Sequence, residues 1–137
     1  MRRSVTLGVR GVVTDHDGRV LLVEHTYLHG WHLPGGGVDP GEGAQEALAR
    51  ELQEEGGVRL TEPARLVSLT TGEEFRGDHV ALYRAGGWEP CAAANQGEIL
   101  RTGWFAPDVL PPKTTVRTLA RIEEALGIGV GLAGEDP

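Results

Sequence analysis

The chain opens with a run of β-forming residues, Val5 to Thr14, broken by Asp15-His16-Asp17-Gly18 and resumed from Arg19 to His25. Two such runs around one tight polar turn predict a β-hairpin. A loop over Tyr27 to Trp31 leads into His32-Leu33-Pro34-Gly35-Gly36-Gly37, where successive glycines let backbone amides and carbonyls come close to a ligand. After the turn Asp39-Pro40-Gly41 the period changes. Ala44, Ala47, Leu48 and Leu52 mark the apolar stripe of a helix that starts at Gly43 and stops at Gly56-Gly57. Strand-like segments return at residues 64–71 and 79–85, joined by a polar stretch with Glu73, Glu74 and Arg76, and again at 99–106. Residues 86–97 lack a pattern and read as a loop. Pro111-Pro112 ends the last strand, and Thr115 opens a second helix with Val116, Leu119, Ile122 and Leu126 expected inward and Gly127 at its end. Many strands with two separate helices predict an α/β domain, a mixed β-sheet covered on both faces. Residues 1–126 form a single domain, and the glycine-rich stretch 127–137 reads as a flexible C-terminal tail.

The first helix breaks the usual segregation of charge from core. At about 100° per residue, Glu51 and Glu55 fall inside the Ala/Leu stripe and Glu54 on its flank, while Glu46 and Gln53 point away. A solvated acidic helix with pairs such as Glu46 to Arg50 would keep its acids off that stripe. Two or three carboxylates brought together repel and raise one another's pKa unless cations neutralise them. Hard divalent ions with oxygen ligands, Mg²⁺ or Mn²⁺, satisfy that demand.

Read by position, the stretch is Gly36, five residues, Glu42, seven residues, then Arg50-Glu51-Leu52, one residue, Glu54-Glu55, one residue, and Gly57-Val58. It resembles the Nudix box of the Nudix hydrolases, with every specified position filled, in a small single-domain chain similar to MutT-like members. The resemblance implies an α/β/α sandwich with a mixed sheet between helices. It also implies hydrolysis of a P–O–P linkage, in a nucleoside triphosphate or a nucleoside diphosphate joined to another group. Glu51, Glu54 and Glu55 match the family's metal-binding glutamates, and the carbonyl of Gly35 is a further expected ligand. Glu51 matches the position most often proposed to activate water; Glu98, six residues before Trp104, stands where MutT-like members place a ligand or alternative base. Arg50 matches the residue that pairs with a box glutamate, Glu42 supports the junction between loop and helix, and Gly57 suits a backbone position past the helix end. Arg10, a charge in mid-strand, and Gly36 are the candidate substrate contacts. Tyr27, Trp31, Phe75 and Tyr83 are candidate base-stacking rings, each with core or loop packing as the alternative. His32, beside the glycine run, is the histidine of most interest.

Composition narrows the partners. A length of 137 residues suits one domain with one substantial core. The net charge of −7 provides no basic stripe for a nucleic acid polymer, yet allows a small phosphorylated substrate wherever bound metal reverses the local sign. Arg10 interrupts the first apolar run too early for a signal peptide and no segment resembles a membrane span, so a cytoplasmic location is expected. Cys91 is the lone cysteine and has no metal-binding spacing. The family resemblance allows a homodimer. Lys113-Thr114-Thr115 departs from the asparagine with which MutT-like enzymes read a purine after a double proline, which weakens an oxidised-guanine substrate. The alternative to a hydrolase is a catalytically silent Nudix-fold module that binds or senses a nucleotide, but such members usually lose box acids and all are present here.

Overall fold

The computed structural model describes residues 6–71, 78–94 and 97–134; Glu73, Glu74, Phe75 and Arg76 lie outside these. Strand β1 (Thr6–Val12) lies inside a four-stranded mixed sheet. Three further elements in chain order, β2 (Val20–His25), β3 (Trp31–His32) and β4 (Gly35–Gly37), precede α1 (Ala44–Gly56). Then come β5 (Val58–Leu60), β6 (Arg65–Thr71), β7 (Asp78–Arg84), β8 (Trp88–Pro90), β9 (Ile99–Phe105) and α2 (Val116–Leu126). The mixed sheet runs β4-β1-β7-β6, with β1 parallel to β7 and the other pairs antiparallel. A second, antiparallel sheet runs β3-β2-β9, and β5 pairs with β8.

The expected hairpin forms only at its tip. Gly18 donates to the Asp15 carbonyl at 3.0 Å and the Asp15 carboxylate accepts the amides of Asp17 and Arg19, but past the bridge of Thr14 with Val20 the two strands separate into different sheets. Burial supplies the reason. Val12 and Val13 are adjacent, point to opposite faces, and are both fully buried, as are Leu21 and Leu22. Strands covered on both faces belong between layers, as in parallel sheets, and β1 accordingly takes β7 as its long partner.

Two apolar clusters result. One packs Val9, Val13 and Leu21 against Ala47, Leu48 and Leu52 of α1; the other packs Val12, Leu22, Leu33 and Leu82 against Ile122 and Ala125 of α2. α1 starts at Gly43, which has no side chain to cap it, so Glu46 reaches back to the Gly43 amide at 3.2 Å. Gly57 ends it in the left-handed region at φ 65°, a conformation that favours glycine. α2 is capped by Thr115, whose hydroxyl accepts the Thr118 amide at 3.2 Å.

Three expectations are corrected. Val116 is 82% exposed, because the buried face of α2 is set by Thr118, Ile122 and Ala125 and Val116 lies on the far side of the wheel. Residues 86–97 contain β8, whose pairing with β5 was hidden by the shortness of both strands. The stretch 127–134 is tied down: Gly131 donates to Pro107 and accepts from Leu110, Ala133 donates to Leu110, and Val130 and Leu132 pack on the α2 cluster. Among the described residues, no helix is long and apolar enough to cross a membrane.

Leu52 is fully buried between α1 and the sheet. Leu52→Ala is expected to cost about 2–5 kcal/mol of unfolding free energy, read from the urea midpoint.

Candidate active site

The site is built where α1 lies across the glycine strand β4. A Cβ on Gly36 would sit 2.6 Å from Glu51 Oε1, so glycine there lets the Glu51 carboxylate lie against the strand. Next to it, the Gly35 amide donates to Glu55 Oε1 at 2.8 Å. Glu55 is only 5% exposed, Glu51 is half-buried, and Glu54 stands at the flank, so the helix presents its acids in the order the wheel predicts.

Two of the carboxyl groups are raised above their ordinary value. Burial pushes Glu55 up to about 7; the Gly35 amide and Arg10 oppose the shift, while Glu51 and Glu98 add to it. Burial also raises Glu51, against the stabilising hydrogen bond and charge of Arg50. Glu98 is exposed, on the chain just before β9, where its carbonyl accepts the Thr26 amide at 3.0 Å; its carboxylate is near enough to raise Glu55. Among the described residues, no three acidic, histidine or cysteine side chains converge closely enough to enclose an ion as they lie. Glu51 is drawn to Arg50 and Glu55 to Gly35, which keeps them apart.

Arg50 links these groups. Its Nε and Nη2 donate to the two oxygens of Glu42 at 2.9 Å each, Nη1 donates to Glu51 at 2.8 Å, and Nη2 also meets the Gly37 carbonyl at 3.1 Å. Glu54 and Asp39 stand at 3.5 and 3.6 Å. Glu46, whose pairing with Arg50 would mark a solvated acidic helix, is occupied at the helix start. Glu42 also accepts the Asp39 amide at 3.0 Å and so closes the loop before α1.

Arg10 is brought to the site but is partly engaged: Nη1 donates to the Leu33 carbonyl at 2.9 Å. Burial weighs against its charge, and Glu55, Tyr27 and Glu51 support it. A cavity of about 250 Å³ beside β1 and β4 is lined by Arg10, Gly36, Gly37 and His79 among others. Of the candidate rings, Trp31 and Tyr83 are buried, whereas Tyr27 is 66% exposed.

Ligand spacing gave no reason to single out His25, yet it is the histidine at the site. It is buried, with Nδ1 3.7 Å from Glu55 Oε2, and neither ring nitrogen has a hydrogen-bond partner among the described residues. Burial, then Arg10 and His32, lower it to about 4, so at neutral pH a neutral imidazole faces a carboxyl near its midpoint and the contact is not an ion pair. The available signal was the alternation of β2, which puts Leu21, Val23 and His25 on one face. His32, by contrast, is engaged with the His29 carbonyl at 2.8 Å.

A glycine strand under a helix that buries one glutamate and lines up two more defines the family. A model described as the NUDIX domain matches residues 5–126, and the chain belongs to the Nudix family. It is 35% identical over 109 residues to an RNA pyrophosphohydrolase of Erythrobacter litoralis (strain HTCC2594), covering 65% of this chain and 66% of the relative. It is 30% identical over 130 residues to the 8-oxo-dGDP phosphatase NUDT18 of Homo sapiens, covering 92% of this chain. The match spans just under two thirds of the first relative's length, at 66%, and 38% of the second's. In structure it is similar to a MutT NUDIX hydrolase from Burkholderia pseudomallei, with TM-score 0.75 and 28% identity over 89% of this chain and 98% of that one.

Hydrogen bonds from Arg50, then the Asp39 amide, hold Glu42 well below its ordinary 4.5, at about 2. A carboxylate depressed in the folded state stabilises above its unfolded value and loses that effect as pH falls through the folded one. Glu42→Gln is therefore expected to lower the denaturant midpoint at pH 6–7, with the gap to wild type closing as pH falls from 4.5 towards 2.

Proposed function

We propose that this chain is a metal-dependent pyrophosphohydrolase that cleaves a P–O–P bond in a small nucleotide-type substrate, a nucleoside triphosphate or a nucleoside diphosphate linked to another group. The observation that carries the reading is Glu55, a carboxyl buried on the apolar face of α1 and pushed up to about 7. A neighbouring cation would return it to the charged form. The donors fit a hard divalent ion, Mg²⁺ or Mn²⁺: the carboxylates of Glu51, Glu54 and Glu55 within little more than one helical turn, the Gly35 carbonyl from β4, and Glu98 approaching from the chain before β9. When bound, such an ion neutralises phosphate charge and makes bound water more acidic.

The chain's own residues supply the rest. Glu51 is the proposed base that takes the proton from the attacking water, and Arg50 holds its carboxylate in place through the 2.8 Å bond. Glu98 is the alternative base. Arg10 and the backbone of Gly36, which line one cavity, contact the substrate's phosphates. The similarity to an RNA pyrophosphohydrolase and an 8-oxo-dGDP phosphatase agrees with phosphoanhydride chemistry on nucleotides. The negative charge of −7 fits a small cytoplasmic substrate better than a nucleic acid polymer.

The test is phosphate release, with product identification, from nucleoside triphosphates, ADP-ribose, nucleotide sugars and dinucleoside polyphosphates in Mg²⁺ or Mn²⁺. Glu55→Gln keeps an oxygen for the Gly35 amide, so the fold is retained, and turnover is expected to fall on the order of 10²-fold or more. Unchanged turnover in that variant would remove the assigned role of Glu55. Metal-dependent nucleotide binding with no turnover of any compound would make the chain a sensor module.

A further inference from the structure

Tyr27 has an unusual setting. Its ring is 66% exposed, and it is the one Phe, Tyr or Trp ring among the described residues that is classed as exposed. The other rings are committed elsewhere. Trp31 packs edge-on against Phe105 beneath the Arg101 guanidinium, Trp88 and Trp104 stack on each other at 5.1 Å, and Tyr83 is in the core under α1.

The position of Tyr27 is set by the site itself. Its ring leans on that of His25, centroid to centroid 5.2 Å at 49°, and His25 in turn stands 3.7 Å from Glu55. Only Thr26 separates Tyr27 from His25 in the chain, a reach of no more than about 7 Å. The Thr26 amide is bonded to the Glu98 carbonyl, which fixes the start of this loop to the chain that carries the second acid. Burial, then the fields of Glu55 and Glu98, raise the Tyr27 phenol, so the ring is in electrostatic reach of both. One side of the ring is therefore supported by the protein and most of its area is open, at the border of the carboxylate cluster.

Accepting the hydrolase reading, we propose that Tyr27 is the platform on which the flat base of the substrate stacks, so that it selects nucleosidic over purely inorganic polyphosphates. The ring is linked to the acids through a single intermediary, His25, which meets Tyr27 on one side and Glu55 on the other. A π-face accepts any base, so the ring confers nucleoside selectivity without choosing among bases. Tyr27 touches none of the groups assigned to proton transfer, so it contributes to binding and not to the chemical step.

The probes are the α,β-methylene diphosphates of adenosine and guanosine, which resist cleavage, and methylenediphosphonate, which has the same P–C–P unit without a nucleoside. Binding is measured by calorimetry in Mg²⁺ for wild type, Tyr27→Ala and Tyr27→Phe. The alanine variant is expected to bind both nucleoside analogues roughly tenfold more weakly, the loss of one stacking ring. Tyr27→Phe keeps the ring and is expected within about twofold of wild type. Methylenediphosphonate binding is expected to be equal in all three proteins, and turnover in Tyr27→Ala to show a raised KM with kcat retained. Wild-type affinity for the nucleoside analogues in Tyr27→Ala would overturn the platform. So would equal weakening of methylenediphosphonate, or a wild type that binds no nucleoside analogue better than methylenediphosphonate. Wild-type turnover separates the two readings: turnover with an unchanged KM in Tyr27→Ala sinks the platform alone, and ring-dependent nucleotide binding without turnover sinks the hydrolase alone.

Discussion

The 2.8 Å hydrogen bond from the Gly35 amide to Glu55 is the contact on which the rest of the site depends. It places a carboxyl where the helix should offer a leucine, between the helix and a glycine strand whose Gly36 leaves space for the neighbouring Glu51 carboxylate. An ionised carboxylate without a partner in such a place costs several kcal/mol. Full burial of Leu48 and Leu52 on the same stripe returns about 1.5–3 kcal/mol each, and the amide offsets part of the remainder. The helix stays docked and the carboxyl responds by holding its proton to about pH 7. Packing thus wins over ionisation, and the site is left with an unmet demand for positive charge.

Arg50 works at the opposite edge of the same helix. A lysine there could satisfy one carboxylate at a time, whereas the planar guanidinium donates to both oxygens of Glu42, to Glu51 and to the Gly37 carbonyl together. That arrangement sets the rotamer of Glu51 from outside the cleft, and it joins the loop before the helix to the helix itself. The two acids on the stripe are therefore held by different means, Glu51 by a fixed cation and Glu55 by a backbone amide. Burial raises both, Glu55 to about 7.

Much of this was legible in the residues. The period of Ala47, Leu48 and Leu52 located α1 and showed that Glu51 and Glu55 share its buried stripe, because a helix wheel needs no tertiary information. The box spacing connected those acids to Arg50 and Glu42, although which box glutamates Arg50 bonds depends on how the loop folds back. What stayed hidden was non-local. The separation of β1 from β2 depends on both being covered by two layers, and the short β5 and β8 acquire meaning only from each other. Val116 was misplaced because a 3-4 apolar spacing fits two neighbouring stripes and the sheet selects between them. His25 carried no spacing signal at all; its closeness to Glu55 exists only once β2 and α1 face each other.

The two apolar clusters lie on opposite sides of the strands they share. The α1 cluster underlies the helix that carries Glu51, Glu54 and Glu55, while the α2 cluster, closed by Val130 and Leu132 from beyond the second helix, contains no residue of that helix. The candidate site thus borders one of the two apolar compartments of this small domain. Substitutions that deepen the α2 compartment can raise the tolerance of the whole chain for a charged, imperfectly satisfied site on the other side, and they can do so without passing through any residue that meets substrate. The far helix is in that sense a reserve against which the near one can vary its chemistry.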